Sequence, residues 1–195
     1  MDKIAKHKTG GRRKVKRISA KNLVLIGFMG TGKTEVARLL AKRLNRRLVD
    51  TDQLIVQREG KAIAEIFRER GEKYFRLLEK ALAEELREQQ NLVIATGGGF
   101  VLDEDNASAL RQSGFVVWLT AELAVLRERL KDDNSRPLLK NEHNFAALYH
   151  ARLPVYRRAS DVQVETAEKL PAEVAEEIFW IINRHGIEGE DKPAV

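Results

Sequence analysis

The sequence predicts an α/β protein with three layers, in which a parallel five-stranded sheet lies between two layers of helices. Three observations support this prediction. Short apolar runs alternate along the chain with longer segments whose apolar residues recur at helical spacing. Residues 23–26 are apolar without interruption, as in a strand that is buried on both faces. Strands joined by helices of this length form right-handed crossovers, which leave the strands parallel and both faces of the sheet covered.

The predicted strands and helices alternate in chain order. The strands are short apolar runs at residues 23–26, 48–49, 92–95, 115–119 and 162–164. The helices carry apolar residues three or four positions apart, at residues 33–44, 54–67, 72–87, 122–130, 145–156 and 173–184. Gly60 breaks the second helical pattern and Gly71 ends it, because glycine weakens a helix interior. The polar segment 131–143 is predicted to be a loop.

Length and composition limit the class of protein. The 195 residues fit one domain, which we place at residues 22–186, and 43% hydrophobic with 33% charged residues is typical of a soluble globular chain. No apolar stretch approaches the roughly 18 residues that a membrane span requires, so we expect no membrane contact and a cytoplasmic location. The absence of cysteine excludes disulfide scaffolds, Cys-ligated zinc and thiol nucleophiles.

The positive charge of the chain is concentrated at its N-terminus. Residues 1–21 carry nine Lys or Arg and one Asp, a net charge of +8, which leaves 26 basic and 28 acidic residues elsewhere. This tail has no hydrophobic periodicity, so we expect it to be disordered in isolation, as we expect residues 187–195 to be loose. We interpret the tail as a solvated extension; contact with the phosphates of a nucleic acid is the alternative.

The strongest local motif follows the first predicted strand. Residues 27–34 read G-F-M-G-T-G-K-T and match G-x-x-x-x-G-K-[ST] at every position. In such a P-loop the glycines let successive backbone N–H groups point at phosphate oxygens, and the following helix adds its positive end. Lys33 is placed to reach the β- and γ-phosphates, and the hydroxyl of Thr34 to ligate Mg²⁺. The motif predicts nucleotide binding.

Two aspartates follow the second predicted strand, where ligands gather at the carboxyl ends of parallel strands. A period of two would put Asp50 and Asp52 on one side of an extended segment, one facing a metal and the other an acceptor hydroxyl. The alternative is that Asp52 only caps a helix that starts at Gln53.

Two further features have both a structural and a functional interpretation. Gly97, Gly98 and Gly99 follow the third strand and indicate either close approach to a ligand or a flexible turn. Arg76 lies between Glu72 at i−4 and Glu79 at i+3, which on its own is typical of a surface ion pair.

Taken together, these motifs resemble those of shikimate kinase. The sequences that carry the resemblance are G-F-M-G-T-G-K-T, D-T-D, I-F-R-E-R-G-E-K-Y-F-R-L-L-E, T-G-G-G, R-P-L-L and R-L-P-V-Y-R, in this order between about residues 23 and 161. The P-loop is shared by many families, whereas the combination of D-T-D, G-E-x-x-F-R-x-x-E and three glycines is much more specific to this one. The basic tail is not covered by the resemblance.

The resemblance implies a role for each matching position. Asp50 would support the shell of Mg²⁺, and Asp52 would grip the ring hydroxyls of shikimate and take a proton. The shikimate carboxylate would be bound by two arginines beside the glycine triplet, so that the substrate site comprises Asp52, Arg76 (held by Glu79), Gly97, Gly98, Gly99 and Arg152. The nucleotide site would comprise the loop and two further arginines: Gly30, Thr31, Gly32, Lys33, Thr34, Glu35, Arg129 and Arg136. Catalysis would fall to Asp52, Lys33 and Arg136, and the metal ligands would be Thr34 and Asp50.

The fold, lid and chemistry implied are those of a small kinase. The resemblance implies a P-loop NTPase-type fold like that of nucleoside monophosphate kinases, with residues 131–143 as a mobile lid that carries Arg136. It implies transfer of the γ-phosphate of ATP to the 3-hydroxyl of shikimate, with Mg²⁺ as cofactor, in aromatic amino-acid synthesis. Glu35 departs from the family's usual K-S-T, and a carboxylate there is tolerated only if it points away from the phosphates. We expect a monomer. A kinase for another polyhydroxy acid such as gluconate, or a nucleotide-responsive module without activity, are the alternatives.

Overall fold

The sheet has five parallel strands. A computed structural model describes residues 21–131 and 142–184, with the side chains of residues 142 and 143 left aside. The strands are β1 (Asn22–Ile26), β2 (Arg47–Asp50), β3 (Leu92–Ala95), β4 (Gly114–Thr120) and β5 (Val162–Glu165). Their order across the sheet is β2-β3-β1-β4-β5, and every neighbouring pair is parallel. The predicted parallel five-stranded sheet is confirmed.

Helices connect the strands. They are α1 (Lys33–Arg43), α2 (Thr51–Glu59), α3 (Ile63–Glu88), α4 (Glu104–Ser113), α5 (Leu123–Leu130), α6 (Glu142–Ala159) and α7 (Pro171–Arg184), with a short 3₁₀ turn at Phe100–Leu102. Within α3, Gly71 has φ 78° and ψ 168°, a conformation that breaks the helix at the position that the sequence predicts. Helix α4 was not predicted, because its few apolar side chains form no stripe.

Two hydrophobic cores cover the two faces of the sheet. Side chains alternate along a strand, so Leu23 and Leu25 of β1 face one core while Val24 and Ile26 face the other. The first core is closed by α1 and α7 and the second by helices that include α3, α4 and α6. All four of these β1 side chains are fully buried. The three-layer prediction is therefore confirmed.

The register of the sheet brings the segments that follow three strands to one edge. Leu25 of β1 pairs with Ala95 of β3, and Asp50 of β2 pairs with the same Ala95. The segments that leave these three strands therefore start side by side at the carboxyl edge of the sheet. They are the P-loop, the start of α2 and the glycine triplet.

Three of the predicted segments lie outside the described residues. They are the basic tail except for Lys21, most of the lid including Arg136, and the C-terminal end, at residues 1–20, 132–141 and 185–195. Among the helices that the structure does describe, none combines the length and apolar character needed to cross a membrane.

Candidate functional site

The P-loop leaves β1 against the backbone of β4. A Cβ on Gly27 would lie 2.3 Å from the carbonyl oxygen of Leu119, so only glycine fits this approach. Gly32 has φ 83° and is the N-cap of α1, a left-handed conformation that other residues adopt at a cost. The chain thereby turns from strand to helix in six residues and aims the first turn of α1 into the loop.

Lys33 lies across the loop. Its ammonium group donates to the carbonyl oxygens of Gly27 and Phe28, at 2.9 Å each, and the side chain is buried. The hydroxyl of Thr31 donates to the same Phe28 carbonyl at 2.8 Å. These bonds fix the loop around a central positive charge at the N-terminal end of a helix, an arrangement suited to binding phosphate.

Asp50 connects the loop to the second strand. Its Oδ2 accepts a hydrogen bond from the hydroxyl of Thr34 at 2.7 Å. Its Oδ1 accepts from the backbone N–H groups of Asp52 and Gln53 at 3.1 Å each, which caps α2. Both the extended segment and the alternative cap that the sequence suggested are therefore wrong: Asp50 is the N-cap, and Asp52 lies in the first turn of α2.

The pair of Thr34 and Asp50 fits a magnesium ion. Mg²⁺ is bound in kinases by one or two protein oxygens and completes its shell with water and substrate phosphates. A hydroxyl and a carboxylate, 2.7 Å apart beside the phosphate loop, supply such oxygens. Within the described ranges no group of three or more His, Asp or Glu residues could hold a metal on its own. The donor set thus matches an ion that arrives with the nucleotide.

The glycine triplet leaves room for two functional side chains. A Cβ on Gly97 would lie 2.3 Å from Oδ1 of Asp52, and one on Gly99 would lie 2.7 Å from Nη1 of Arg76. The backbone N–H of Gly97 donates to the hydroxyl of Thr51 at 2.9 Å, which ties the triplet to the start of α2. The glycines therefore serve close approach rather than loop flexibility.

Arg76 is held between two glutamates. Its Nη1 donates to Glu79 at 2.7 Å, and its Nη2 and Nε donate to one oxygen of Glu72 at 2.6 and 3.2 Å. Glu79 is buried, and burial raises the pKa of its carboxyl while the bond from Arg76 opposes that shift. The buried partner fixes the guanidinium, so Arg76 is more than a surface ion pair.

Arg152 approaches the triplet from α6. Its Nη1 donates to the carbonyl oxygen of Gly98 at 3.2 Å, and the hydroxyl of Tyr156 donates to the same oxygen at 2.6 Å. Arg152 is 9% exposed, and its buried Nε has no hydrogen-bond partner among the described residues. A buried guanidinium with a donor to spare is suited to receive an anionic ligand. Asp52, Arg152 and Arg76 thus adjoin Gly97, Gly98 and Gly99 in turn.

Arg129 and Glu35, which are also predicted to bind the nucleotide, form hydrogen bonds to other parts of the protein. Arg129 of α5 donates to Thr166, just after β5, and to the carbonyl oxygen of Gly30 at 3.4 Å, so it joins the P-loop to the segment that follows the edge strand β5. The carboxylate of Glu35 accepts two hydrogen bonds from Arg38, at 2.6 and 3.0 Å. It is therefore engaged on the surface of α1. Arg136 lies outside the described residues.

Sequence reasoning missed the aromatic support of the site. Phe28 is buried within the P-loop, with its ring 5.3 Å from that of Phe145 and 5.4 Å from that of Tyr149, both on α6. Arg152 lies over the same Phe28 ring at 5.6 Å. The signal was present in the sequence, because Phe145, Tyr149, Arg152 and Tyr156 recur every three or four residues.

Comparisons with known proteins show the family of this chain. The family model described as shikimate kinase matches residues 29–183. A shikimate kinase from Persephonella marina is 44% identical over 160 residues, which cover 82% of this chain and 97% of that protein. One from Geobacter sulfurreducens is 46% identical over 168 residues, covering 85% and 92%.

Solved structures give the same result. The shikimate kinase from Acinetobacter baumannii in complex with shikimate matches with a TM-score of 0.81 and 34% identity, over 86% of this chain and 96% of that one. A gluconokinase from Sinorhizobium meliloti matches with a TM-score of 0.57 at 19% identity, over 86% and 94%, a likeness that shows the fold alone.

Proposed function

This chain belongs to the shikimate kinase family, and we propose that it transfers the γ-phosphate of ATP to the 3-hydroxyl of shikimate, giving shikimate 3-phosphate and ADP. The observation that carries the proposal is the set of three side chains against three consecutive glycines. Asp52, Arg152 and Arg76 adjoin Gly97, Gly98 and Gly99 at the edge of the sheet where the P-loop begins. A carboxylate and two guanidiniums there suit a substrate with ring hydroxyls and one carboxylate.

The two arginines bind the shikimate carboxylate. A guanidinium presents donors in a fixed fork, which matches the two oxygens of a carboxylate. Arg152 has a buried Nε with no partner among the described residues, and Arg76 is oriented by the buried Glu79. Burial of Arg152 excludes competing water and strengthens its contact. The carboxylate thereby fixes the ring, with its hydroxyls turned toward Asp52.

Asp52 orients the acceptor hydroxyl and receives its proton. It is half-buried in the first turn of α2, where the N-terminal end of the helix favours its negative charge. In the transfer, the shikimate 3-oxygen forms a bond to the γ-phosphorus as the bond from that phosphorus to the β–γ bridging oxygen breaks. The hydroxyl proton passes to the carboxylate of Asp52, and ADP leaves with the bridging oxygen.

The P-loop neutralises the phosphate charge. Lys33 exchanges its bonds to the Gly27 and Phe28 carbonyls for the phosphate oxygens. We expect the backbone N–H groups of Gly30, Thr31 and Gly32 to bind the same oxygens, the one of Thr31 after giving up its bond to the Phe28 carbonyl. Thr34 and Asp50 would hold Mg²⁺, which when bound offsets the negative charge shared by the phosphates. Glu35 contributes through its backbone N–H, since its carboxylate is engaged with Arg38.

Two arginines complete the nucleotide site in this proposal. Arg129 bridges the P-loop and Thr166, and its contact with adenine rests on the family resemblance. Arg136 reaches the transferring phosphate from the lid, a role that rests on the family resemblance alone. The cytoplasmic location, the monomer and the absence of nucleic-acid contact stay predictions.

The test is ADP production from ATP and Mg²⁺ with and without shikimate. We expect strong shikimate-dependent turnover that Asp52→Asn reduces by at least about 100-fold, as for loss of a general base. Asp105→Asn is the matched control, because Asp105 is also the second residue of a helix capped by an aspartate but lies on α4, where it pairs with Lys80. Turnover with gluconate in place of shikimate, or nucleotide binding without turnover, would contradict the proposal.

A further inference from the structure

The carbonyl oxygen of Gly98 accepts two hydrogen bonds from α6. The hydroxyl of Tyr156 donates at 2.6 Å and Nη1 of Arg152 donates at 3.2 Å. Tyr156 is fully buried, and its ring lies 6.0 Å from that of Trp118 on β4. The two donors are four residues apart, one helical turn, so a single face of α6 holds the centre of the glycine triplet.

The two hydrogen bonds to the Gly98 carbonyl differ in length and in the charge of the donor. A carbonyl oxygen has two lone pairs, and the short bond from Tyr156 occupies one of them. The bond from Arg152 is the longer of the two, and a carboxylate, which carries a full negative charge, can replace the carbonyl as the acceptor of this guanidinium. Burial raises the pKa of Tyr156 to about 12, although the charge of Arg152 and a hydrogen bond between the two side chains oppose the shift, so the hydroxyl keeps the proton that it donates.

We propose that Tyr156 is a positioning residue for substrate binding. Its hydroxyl holds the Gly98 carbonyl so that the Arg152 guanidinium can turn to the shikimate carboxylate without leaving that carbonyl unpaired. Without the hydroxyl, Arg152 becomes the one described donor to this carbonyl and is retained there, in competition with the substrate. The inference rests on the proposed function, since it needs shikimate as the ligand of Arg152.

A second tyrosine on the same helix provides the control. Tyr149 lies two turns before Tyr156, is also buried, and donates its hydroxyl to the backbone carbonyl of Ala121 at 3.0 Å. It thus makes the same kind of bond from the same helix, but to the segment that follows β4. Removing either hydroxyl leaves one backbone carbonyl without that donor and keeps the aromatic ring.

The test compares Tyr156→Phe with Tyr149→Phe in steady-state assays. We expect Tyr156→Phe to raise the KM for shikimate about tenfold, the equivalent of one hydrogen bond, with kcat and the KM for ATP within about twofold. Tyr149→Phe removes only the hydroxyl and keeps the ring that packs against Phe28, so it should lower the melting temperature as much as Tyr156→Phe does and leave the KM for shikimate unchanged. Equal KM values for shikimate in the two variants would overturn the inference.

A double-mutant cycle shows whether Tyr156 acts through Arg152. Arg152→Lys removes the guanidinium fork. Adding Tyr156→Phe to that variant should therefore raise the KM for shikimate far less than adding Tyr156→Phe to the wild type does. Additive effects would mean that the tyrosine acts by another route and would overturn the inference. Wild-type protein that does not phosphorylate shikimate defeats the proposed function together with the inference; active wild type with additive variants defeats the inference alone.

A further measurement does not depend on the folding of any variant at position 156. The chain has three tyrosines, so uniform labelling with 3-fluorotyrosine gives three ¹⁹F resonances, which Tyr149→Phe and Tyr74→Phe assign. We expect saturating shikimate to shift the resonance of Tyr156 as Arg152 turns, and to leave that of Tyr149 in place. A Tyr156 resonance that does not move when shikimate binds would contradict the inference.

Discussion

Substituting Gly97 by alanine should lower kcat about 100-fold while leaving the fold intact. The added Cβ would lie 2.3 Å from Oδ1 of Asp52, whereas ordinary contact begins near 3.4 Å, so the carboxylate must move by about 1 Å. A displacement of this size from the productive position costs on the order of 100-fold in rate. Gly97 has no left-handed φ, and the group that must yield is the end of a side chain. The free energy of unfolding should therefore change by about 1 kcal/mol or less.

The assay measures kcat and both KM values, with urea unfolding in parallel. We expect kcat to fall about 100-fold and the KM for ATP to stay within about twofold, because the P-loop is untouched. Gly98→Ala is the matched control, since its added methyl meets no atom closer than 3.6 Å, and its loss of kcat should be at least about tenfold smaller. A Gly97→Ala enzyme within about threefold of wild type would refute the reasoning, because Asp52 would then not be needed where the structure places it.

Three further predictions concern substitutions that each remove one carboxylate. Asp50→Asn should raise the Mg²⁺ concentration for half-maximal activity about tenfold, while Asp103→Asn, at the equivalent cap of α4, should not; a magnesium titration of each variant decides. Burial raises the pKa of Glu79, so the stability that its neutral form provides is present below the ordinary value of 4.5 and is lost as the pH rises through the raised value. The free energy of unfolding of wild type should thus fall relative to Glu79→Gln between pH 4.5 and 7, and a constant difference in urea melts would contradict this. Glu35→Gln should leave the KM for ATP within about twofold, because that carboxylate is engaged with Arg38; a larger change would place it at the phosphates.

The sequence predicted the parts of the site that depend on local chemistry. The P-loop is defined by residues next to one another in the chain, and the break at Gly71 follows from the residue type alone. The grouping of Asp52, Arg76 and Arg152 followed from the family resemblance, because no local pattern joins three residues that lie on three different helices. On spacing alone, Arg76 was indistinguishable from a surface ion pair.

The errors have local physical causes. The D-T-D segment was predicted to be extended, but the Oδ1 of Asp50 satisfies two backbone N–H groups and starts α2 one residue later. Helix α4 was missed because it buries mainly Ala109 and Leu110 among small and polar residues. Its signal was the cap, since Asp103 precedes two acidic residues, an order typical of a helix start. Tyr156 had no predicted role, because the carbonyl that it binds lies 58 residues away.

The position of β1 in the sheet affects how the chain folds during synthesis. β1 is made before the other four strands, yet its neighbours are β3 and β4: Leu23 pairs with Val93 and with Phe115, 70 and 92 positions later. At about 5–20 residues per second, the first partner follows β1 by roughly 4–14 s. Throughout that interval, a strand with four consecutive apolar residues, Leu23–Ile26, has two unpaired edges, which other chains can pair with. The central strand that positions the phosphate loop in the native protein is therefore the segment that most needs protection, by a chaperone or by the ribosome itself, while the nascent chain grows.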